Sequence, residues 1–229
     1  MKSAVAALRA TLSACAISAA LLCAAQPAAA AVITTLPDAI ARDIPKGLKI
    51  TQNPISFADG VTYQARNAAG LAVSSNFGST STYSFANSGQ WSGTPMVAIG
   101  LQHATMGFTF ADPVSAALAE FNWARPTVNA GDITFRIFNA SGTLLEKLTF
   151  NAADPAYQKG FYGFQRAVAD ISRFEVEGYW VGARNLSTST AVIASGVPEP
   201  ASWAMMIVGF GAAGAMVRGS RRRELALAA

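Results

Sequence analysis

Two glutamates, Glu175 and Glu177, are the residues whose type and spacing come closest to catalytic chemistry in this chain. A pair of carboxylates can hydrolyse a glycosidic bond when about 5–10 Å separates them, and strand positions i and i+2 lie near the lower limit. The two-residue period of a strand places both on one face with Arg173 and Tyr179. Such a row is more typical of a solvated sheet face with cross-strand ion pairs, so we expect no catalytic residue here.

Histidine and cysteine, the other common catalytic and metal-binding residues, are scarce. His103 is the only histidine, and both cysteines, Cys15 and Cys23, lie near the N-terminus. A hydrolase triad or a multi-histidine metal site therefore has almost nothing to draw on. Calcium is the one metal left open, but the loop acids lack an Asp-x-Asp-x-Asp spacing and are better explained as turn formers. These acids are Asp59, Asp132, Asp154 and Asp170.

Exposed aromatic rings would offer a flat apolar face with a polar edge, which suits the stacking of sugar rings. The strand period assigns Trp123 and Trp180 to the core, whereas Trp91 lies in a stretch rich in Ser and Gly. Tyr157 and Tyr162 follow Asp154-Pro155 closely and are also candidates for exposure. The residues that we expect to contact a polysaccharide, if one binds, are Trp91, Tyr157, Tyr162, Arg173, Glu175, Glu177 and Tyr179.

The elements that must position these residues are strands. Short runs rich in Val, Ile, Thr and aromatic residues alternate with Gly, Asn, Asp, Ser and Pro, and none keeps a helical period for three turns. This pattern predicts an all-β fold, a two-sheet β-sandwich of jelly-roll-like architecture. Strands are predicted near 47–57, 61–67, 70–77, 81–86, 96–100, 104–111, 114–123, 131–138, 143–150, 160–166 and 171–181.

One hairpin and one irregularity stand out within this pattern. Ile133, Phe135 and Ile137 fall on one face of a strand, and Asn139-Ala140-Ser141-Gly142 supplies the turn to a second strand over 143–150. Around 115–123 the apolar residues change from even to odd positions, and a β-bulge would reconcile the two phases.

The N-terminus is typical of a secretory signal peptide. Lys2 and Arg9 precede an apolar stretch from Leu12 to Leu22, and small residues follow at 28–30. Signal peptidase would cut before or after Ala31, and the recognised residues are Ala28, Ala30 and Ala31. Residues 1–30 are therefore predicted to be removed during export by the secretion machinery.

The net positive charge of the chain comes from its two ends. The whole chain has a formal net charge of +4, but residues 31–196 contain 11 Lys+Arg and 11 Asp+Glu. A neutral body lacks the electrostatic footprint of a nucleic-acid-binding protein, so nucleic acid is not expected as a partner.

The C-terminus has three parts in a fixed order. Val197-Pro198-Glu199-Pro200 begins it, and proline there favours an extended backbone that a processing enzyme can read. An apolar run at 201–217 follows, which would span about 26 Å as a helix, and the basic residues at 218–223 would stay on the cytoplasmic side. The residues that carry the pattern are Val197, Pro198, Glu199, Pro200, Trp203, Ala204, Arg221, Arg222 and Arg223.

This tail resembles a PEP-CTERM sorting signal of the variant with Trp-Ala after Pro-Glu-Pro. The resemblance covers about the last thirty residues, and only the short extension at 224–229 departs from it. It implies a Gram-negative envelope protein that a membrane-embedded exosortase cleaves near Pro-Glu-Pro, and many such proteins accompany exopolysaccharide or biofilm production. The body also loosely resembles sandwich domains that precede such tails.

The predicted organisation follows from these observations. It comprises a signal peptide (1–30), an N-terminal arm (31–46), a β-sandwich (47–186), a Ser/Thr linker (187–196) and the sorting signal (197–223) with one transmembrane helix (201–217). The expected role is that of a non-catalytic surface or biofilm component that binds polysaccharide, held in the inner membrane as a precursor and then sorted to the cell surface or outside it. The alternatives are a secreted glycan hydrolase or lyase, and a permanently anchored inner-membrane protein that faces the periplasm.

Overall fold

The computed structural model describes residues 30–57, 59–101, 103–124, 131–154 and 159–191, together with Val208 and Phe210. Residues Ala28–Ala194 form one compact unit. Within it, the described residues form sixteen strands and one short 3-10 turn at Ala86–Ser88. The all-β prediction for the body is confirmed.

The larger sheet, called the first sheet here, contains eight strands. Seven of them pair in the order β1-β14-β11-β16-β9-β6-β3, and β2 also pairs with β16. Their pairings are antiparallel throughout. Their bounds are β1 Ala31–Ile33, β2 Ile40–Ala41, β3 Lys49–Thr51, β6 Ser75–Ser79, β9 Met96–Ala98, β11 Ala116–Trp123, β14 Gly160–Gln165 and β16 Val181–Ser189.

The second sheet contains six strands in the order β13-β12-β15-β10-β5-β4. Its bounds are β4 Ile55–Ser56, β5 Val61–Arg66, β10 Ala104–Val114, β12 Asp132–Phe138, β13 Leu144–Asn151 and β15 Ile171–Gly178. The β12–β13 hairpin matches the sequence prediction. Within its turn the Thr143 backbone N–H donates a hydrogen bond of 2.8 Å to the Asn139 side-chain oxygen. A separate small hairpin pairs β7 (Tyr83–Ser84) with β8 (Gln90–Trp91).

The core lies between the two large sheets, as expected for a sandwich. Ile133, Phe135 and Ile137 are fully buried, as their two-residue spacing predicts. Trp123 is also buried, and its ring packs against Phe150 with ring centroids 5.4 Å apart. The prediction that Trp123 is a core residue is therefore confirmed.

The chain passes from the second sheet to the first at the change of apolar phase near residue 115. β10 of the second sheet buries even positions up to Val114, whereas β11 of the first sheet places odd positions such as Phe121 in the core. Ser115 alone separates these strands. The predicted phase change is thus a crossing between sheets; the register of β11 against β16 also shifts between Leu118 and Glu120.

Part of the outer face of the first sheet is covered by the β7–β8 hairpin. Phe85 and Trp91 pack against each other with ring centroids 5.0 Å apart, and a Cβ at Gly182 of β16 would lie 2.5 Å from the Phe85 ring. Trp91 is only 3% exposed. The expectation that Trp91 is an exposed ligand-binding candidate is wrong, because this hairpin folds its aromatic side onto the sheet.

The first sheet also extends into both segments that the sequence predicts to flank the sandwich. The N-terminal arm contributes β1, which pairs with β14, and β2, which pairs with β16. The predicted Ser/Thr linker begins inside β16, where Thr188 and Ser189 are buried. Residues 187–189 therefore belong to the sheet and not to the predicted linker, since Ser and Thr fit a strand when their neighbours cover them.

The strand register places the two ends of this unit side by side. Ala31 of β1 is opposite Gln165, Gln165 is opposite Ala116, and Ala116 is opposite Ser189 of β16. These residues form one row across four neighbouring strands. The first residue of β1 and the last residue of β16 therefore lie at the same end of the sheet, called the Ser189 end here.

The predicted transmembrane segment at 201–217 lies outside the described residues, apart from Val208 and Phe210, which are helical. Among the residues that the structure describes, no helix is long and apolar enough to cross a membrane. The predicted signal peptide also lies outside the described residues, except for Ala30, as does the sorting motif.

Candidate functional site

Trp180 lies at the end of the sandwich opposite the Ser189 end. It follows β15 of the second sheet and precedes β16 of the first, so residues 179 and 180 alone carry the chain between the two sheets. Its side chain is 37% exposed. The prediction that Trp180 belongs to the core is wrong, because the strand period does not continue through this two-residue crossing.

The short crossing forces an unusual backbone on Trp180, which has a φ of 47°. A bulky residue in this left-handed region is strained by about 1–2 kcal/mol. Two hydrogen bonds hold the peptide in place: the Trp180 N–H donates to the Leu101 carbonyl at 3.2 Å, and the Ala124 N–H donates to the Trp180 carbonyl at 3.3 Å. The position of the indole is therefore set by two loops of the same end.

Gly178 makes the crossing sterically feasible. A Cβ on this residue would lie 2.2 Å from the Ile133 Cδ1 atom and 2.8 Å from the Val181 Cγ2 atom, closer than real contacts allow. The chain can thus turn tightly over the core and deliver the next two residues to the surface. We expect any larger residue at position 178 to displace Trp180.

The Tyr179 and Trp180 rings lie parallel to each other, one stacked against the other. Their planes are inclined by only 3° and their centroids are 5.6 Å apart, which is an offset-stacked arrangement. Tyr179 is half-buried and Trp180 is exposed. A flat apolar face bordered by a phenol hydroxyl and an indole N–H can stack on the apolar face of a sugar ring and bond its hydroxyls.

Two further exposed residues lie on the loop that contacts Trp180. Leu101 is 42% exposed, and His103 is exposed with a φ of 49°. The His103 imidazole lies beside Gly131, where an added Cβ would be 2.9 Å from its Cε1 atom. Residues 179, 180 and 101 are called the Trp180 platform here.

The predicted carboxylate pair lies on the outer face of the second sheet. Glu177 pairs with Arg136 of the neighbouring strand at 2.6 Å, and Glu175 pairs with Arg173 at 2.9 Å. The Arg173 guanidinium also lies 4.3 Å from the centroid of the Phe138 ring. These contacts agree with the expected solvated face of ion pairs, in which each carboxylate has an arginine partner.

Two other predicted aromatic contacts have different outcomes. Tyr162 is half-buried, and its ring lies 5.3 Å from Phe135 and 5.8 Å from Trp123 between ring centroids. It therefore extends the core instead of forming a surface, since it occupies an inward position of β14. Tyr157 lies outside the described residues.

The loop acids do not assemble into a metal site in the described part of the chain. No group of three or more His, Cys, Asp and Glu side chains converges there. Asp170 accepts hydrogen bonds of 2.6 and 2.9 Å from the Arg166 guanidinium, and Asp59 lies 3.9 Å from Arg42. Asp132 begins β12 and Asp154 follows the turn after β13.

Sequence reasoning missed the platform although a signal for it was present. Phe174 and Val176 place even positions of β15 in the core, whereas Val181 and Ala183 place odd positions of β16 there. This phase change between 176 and 181 is a signal that the strand does not continue regularly through Trp180. It is the same kind of signal that marks the crossing at Ser115.

The C-terminal tail matches a known sorting family. Residues 196–223 match the PEP-CTERM protein-sorting motif. The chain therefore carries a PEP-CTERM sorting signal, as its tail predicts, and the motif supports an exosortase substrate. The signal implies export and sorting to the envelope or surface. No curated protein matches the chain.

Ten chains of solved structures also match. One is a mutant of a family 29 carbohydrate-binding module used to probe ligand recognition; it is 14% identical with a TM-score of 0.30, over 61% of this chain and 99% of its own. Another is CsCBM6-3 from Clostridium stercorarium in complex with cellobiose, which is 16% identical with a TM-score of 0.28, over 56% and 93%. With TM-scores this low, neither likeness bears on the ligand of this protein.

Proposed function

We propose that this protein is a non-catalytic component of the cell surface or extracellular matrix that binds polysaccharide through the Trp180 platform. The observation that carries the proposal is the exposed, parallel Tyr179–Trp180 pair, with Trp180 held at a φ of 47°. A strained residue persists only where its surroundings fix it, and such residues concentrate at binding and catalytic sites. Here the strained residue presents a ring suited to stacking on sugars.

Three further features support a role in binding at the surface. The sorting motif supplies a route to the envelope or beyond it. Glu175 and Glu177 each have an arginine partner, which favours a structural role for them over acid–base catalysis. The eight strands from β9 to β16 divide equally between the two sheets. Their order is β9-β16-β11-β14 in the first sheet and β10-β15-β12-β13 in the second, which supports the jelly-roll-like class.

The proposal is tested by binding of the mature protein to exopolysaccharide isolated from the host, with dextran and xylan as comparison polymers. Trp180→Ala should weaken binding by about tenfold, because burying part of an indole face contributes about 1.4 kcal/mol. Phe161→Ala is the matched control, since Phe161 is 40% exposed on β14. It should bind as the unaltered protein does.

Three results would contradict the proposal. The first is unchanged polysaccharide binding in the Trp180→Ala protein, and the second is an equal loss in the Phe161→Ala protein. The third is release of new reducing ends from the polysaccharide by the purified protein, which would favour a hydrolase.

A further inference from the structure

A second feature of the fold is a cleft beside β16, away from the Trp180 platform. The edge of β16 is shared: β9 pairs with Gly182 and Ala183, whereas β2 pairs with Ser187 and Thr188. Residues 184–186 lie between these two ladders. A cleft of about 370 Å³ opens at this interruption, bordered by the segment after β2 and the segment before β9.

Asn185 is held in a fixed conformation at this cleft. Its φ is 53°, a left-handed conformation that asparagine tolerates better than most residues. The Asn185 side-chain amide donates to the Glu120 Oε2 atom at 2.8 Å, and Glu120 is itself held by Arg184. This bond uses one of the two amide N–H groups, so Asn185 can offer its amide oxygen and its second N–H to a ligand.

The other residues of the cleft combine opposite charges with apolar walls. Asp43 and Lys46 line it from one side and Thr94 from the other, with Pro45 and Pro95 among the walls. Because the Asp43 carboxylate and the Lys46 ammonium group have opposite charges, the cleft favours neither an anionic nor a cationic ligand. The ligand that suits this cleft is neutral, with many hydroxyls and an apolar face. Its hydroxyls would bond the polar side chains, and its apolar face would pack on the proline rings. The volume lies near the lower limit for small-molecule sites.

We infer that this cleft is a second saccharide site, which takes a neutral sugar unit independently of the Trp180 platform. The choice of a saccharide as the ligand class rests on the proposed function. Asn185 lies five residues along β16 from Trp180, about 16 Å on an extended strand. A polysaccharide chain that contacted both sites would gain affinity without any new contact, because the second contact is intramolecular.

The test is a titration of the isotope-labelled mature protein with the methyl glycosides of glucose, galactose and mannose, followed by NMR. We expect saturable shifts of the amide signals of Lys46, Thr94 and Asn185 with at least one glycoside. Asp43→Asn and Thr94→Val should each weaken this binding by about three- to tenfold, the value of one hydrogen bond. Asp112→Asn, a change at an exposed acid of β10, is the control and should not alter it.

The outcomes separate this inference from the proposed function. In the Trp180→Ala protein the shifts at Lys46, Thr94 and Asn185 should persist. If the glycosides shift only Tyr179 and Trp180, the cleft is not a saccharide site although the proposed function stands. If neither the glycosides nor the polysaccharides bind, both ideas are wrong.

Discussion

The Arg184 guanidinium lies 4.4 Å from the centroid of the Trp91 ring and holds Glu120 through hydrogen bonds of 2.7 and 2.9 Å. Trp91 belongs to the β7–β8 hairpin, whereas Arg184 and Glu120 lie on neighbouring strands of the first sheet. The Arg184 side chain thus makes both a cation–π contact with Trp91 and an ion pair with Glu120. The hairpin partly shields this ion pair from water. This arrangement fastens the hairpin to the outer face of the sheet.

Arg184→Met should destabilise the protein by about 2 kcal/mol, between the values for exposed and buried ion pairs. The change removes a guanidinium that is only 20% exposed, against 39% for Arg173, and leaves Glu120 without its cation. Urea unfolding would measure the loss. Arg173→Met is a matched control, because Arg173 also has a glutamate and a ring as partners but lies on the uncovered face of the second sheet. It should cost less than about 1 kcal/mol, and equal losses would mean that the covering hairpin adds nothing.

The two tryptophans that the sequence assigns to the core should respond differently to truncation. Trp123→Ala should cost about 3–5 kcal/mol, since the indole is buried among aromatic rings. Trp180→Ala should change the free energy of unfolding by less than about 1 kcal/mol, because its ring is largely at the surface. Thermal unfolding of both proteins would show the difference, and similar losses would contradict the position of Trp180.

Trp180→Gly should raise the stability of the protein by about 1 kcal/mol while weakening polysaccharide binding by about tenfold, as Trp180→Ala does. Glycine adopts a positive φ without the steric cost that tryptophan has there. Urea unfolding and polysaccharide binding would be measured on the same preparation. A loss of stability would show that the indole contributes more by packing than its backbone costs.

Tyr63 should make the protein less stable at alkaline pH. Burial raises the pKa of Tyr63 above its ordinary value, whereas the unfolded chain ionises near pH 10. Below that pH both states keep the proton and the effect is absent. Above it the unfolded state releases the proton first, so stability falls by up to about 1.4 kcal/mol per pH unit.

Tyr63→Phe should reduce this alkaline loss, as measured by urea unfolding at a series of pH values. Tyr179→Phe, a change at a half-buried ring of the platform, is the control and should leave the loss in place. If the Tyr63→Phe protein loses stability as steeply as the unaltered one, other groups cause the alkaline effect.

Replacement of Pro198-Glu199-Pro200 by alanines should leave an uncut species in the membrane fraction of the host. The three residues lie within the matched sorting motif, so their replacement should remove what the processing enzyme recognises. Intact mass of the fractionated protein would detect the change. Glu224→Ala, just beyond the motif, should be processed normally, and normal processing of the triple variant would contradict the role of Pro-Glu-Pro.

Local pattern was sufficient to predict most of the strands, because inward positions on a sandwich strand must be apolar. The β12–β13 hairpin shows this well, with Ile133, Phe135 and Ile137 all facing the core. The sorting tail was equally readable, since its residues act as a linear signal.

The candidate site was harder to predict because it depends on contacts between distant segments. Trp91 lies in a polar stretch, but the β7–β8 hairpin packs its ring on the outer face of the first sheet. Trp180 has the period of a core residue, but the chain changes sheets beside it. In both cases tertiary structure decides the exposure of the ring: the hairpin buries Trp91, whereas the change of sheets leaves Trp180 at the surface.

The place of β16 in the first sheet has a consequence for how the exported chain folds. β16 is the last of the strands that the structure describes, yet it lies between β11 and β9 and joins the two halves of that sheet. A chain that is exported with its N-terminus first delivers this strand last. Until residue 189 has emerged, the facing edges of β11 and β9 lack their partner, and long-range pairings of this kind form slowly. A chain translocated unfolded in this way would complete its fold only when translocation is nearly finished, and its open strand edges would need protection from aggregation until then.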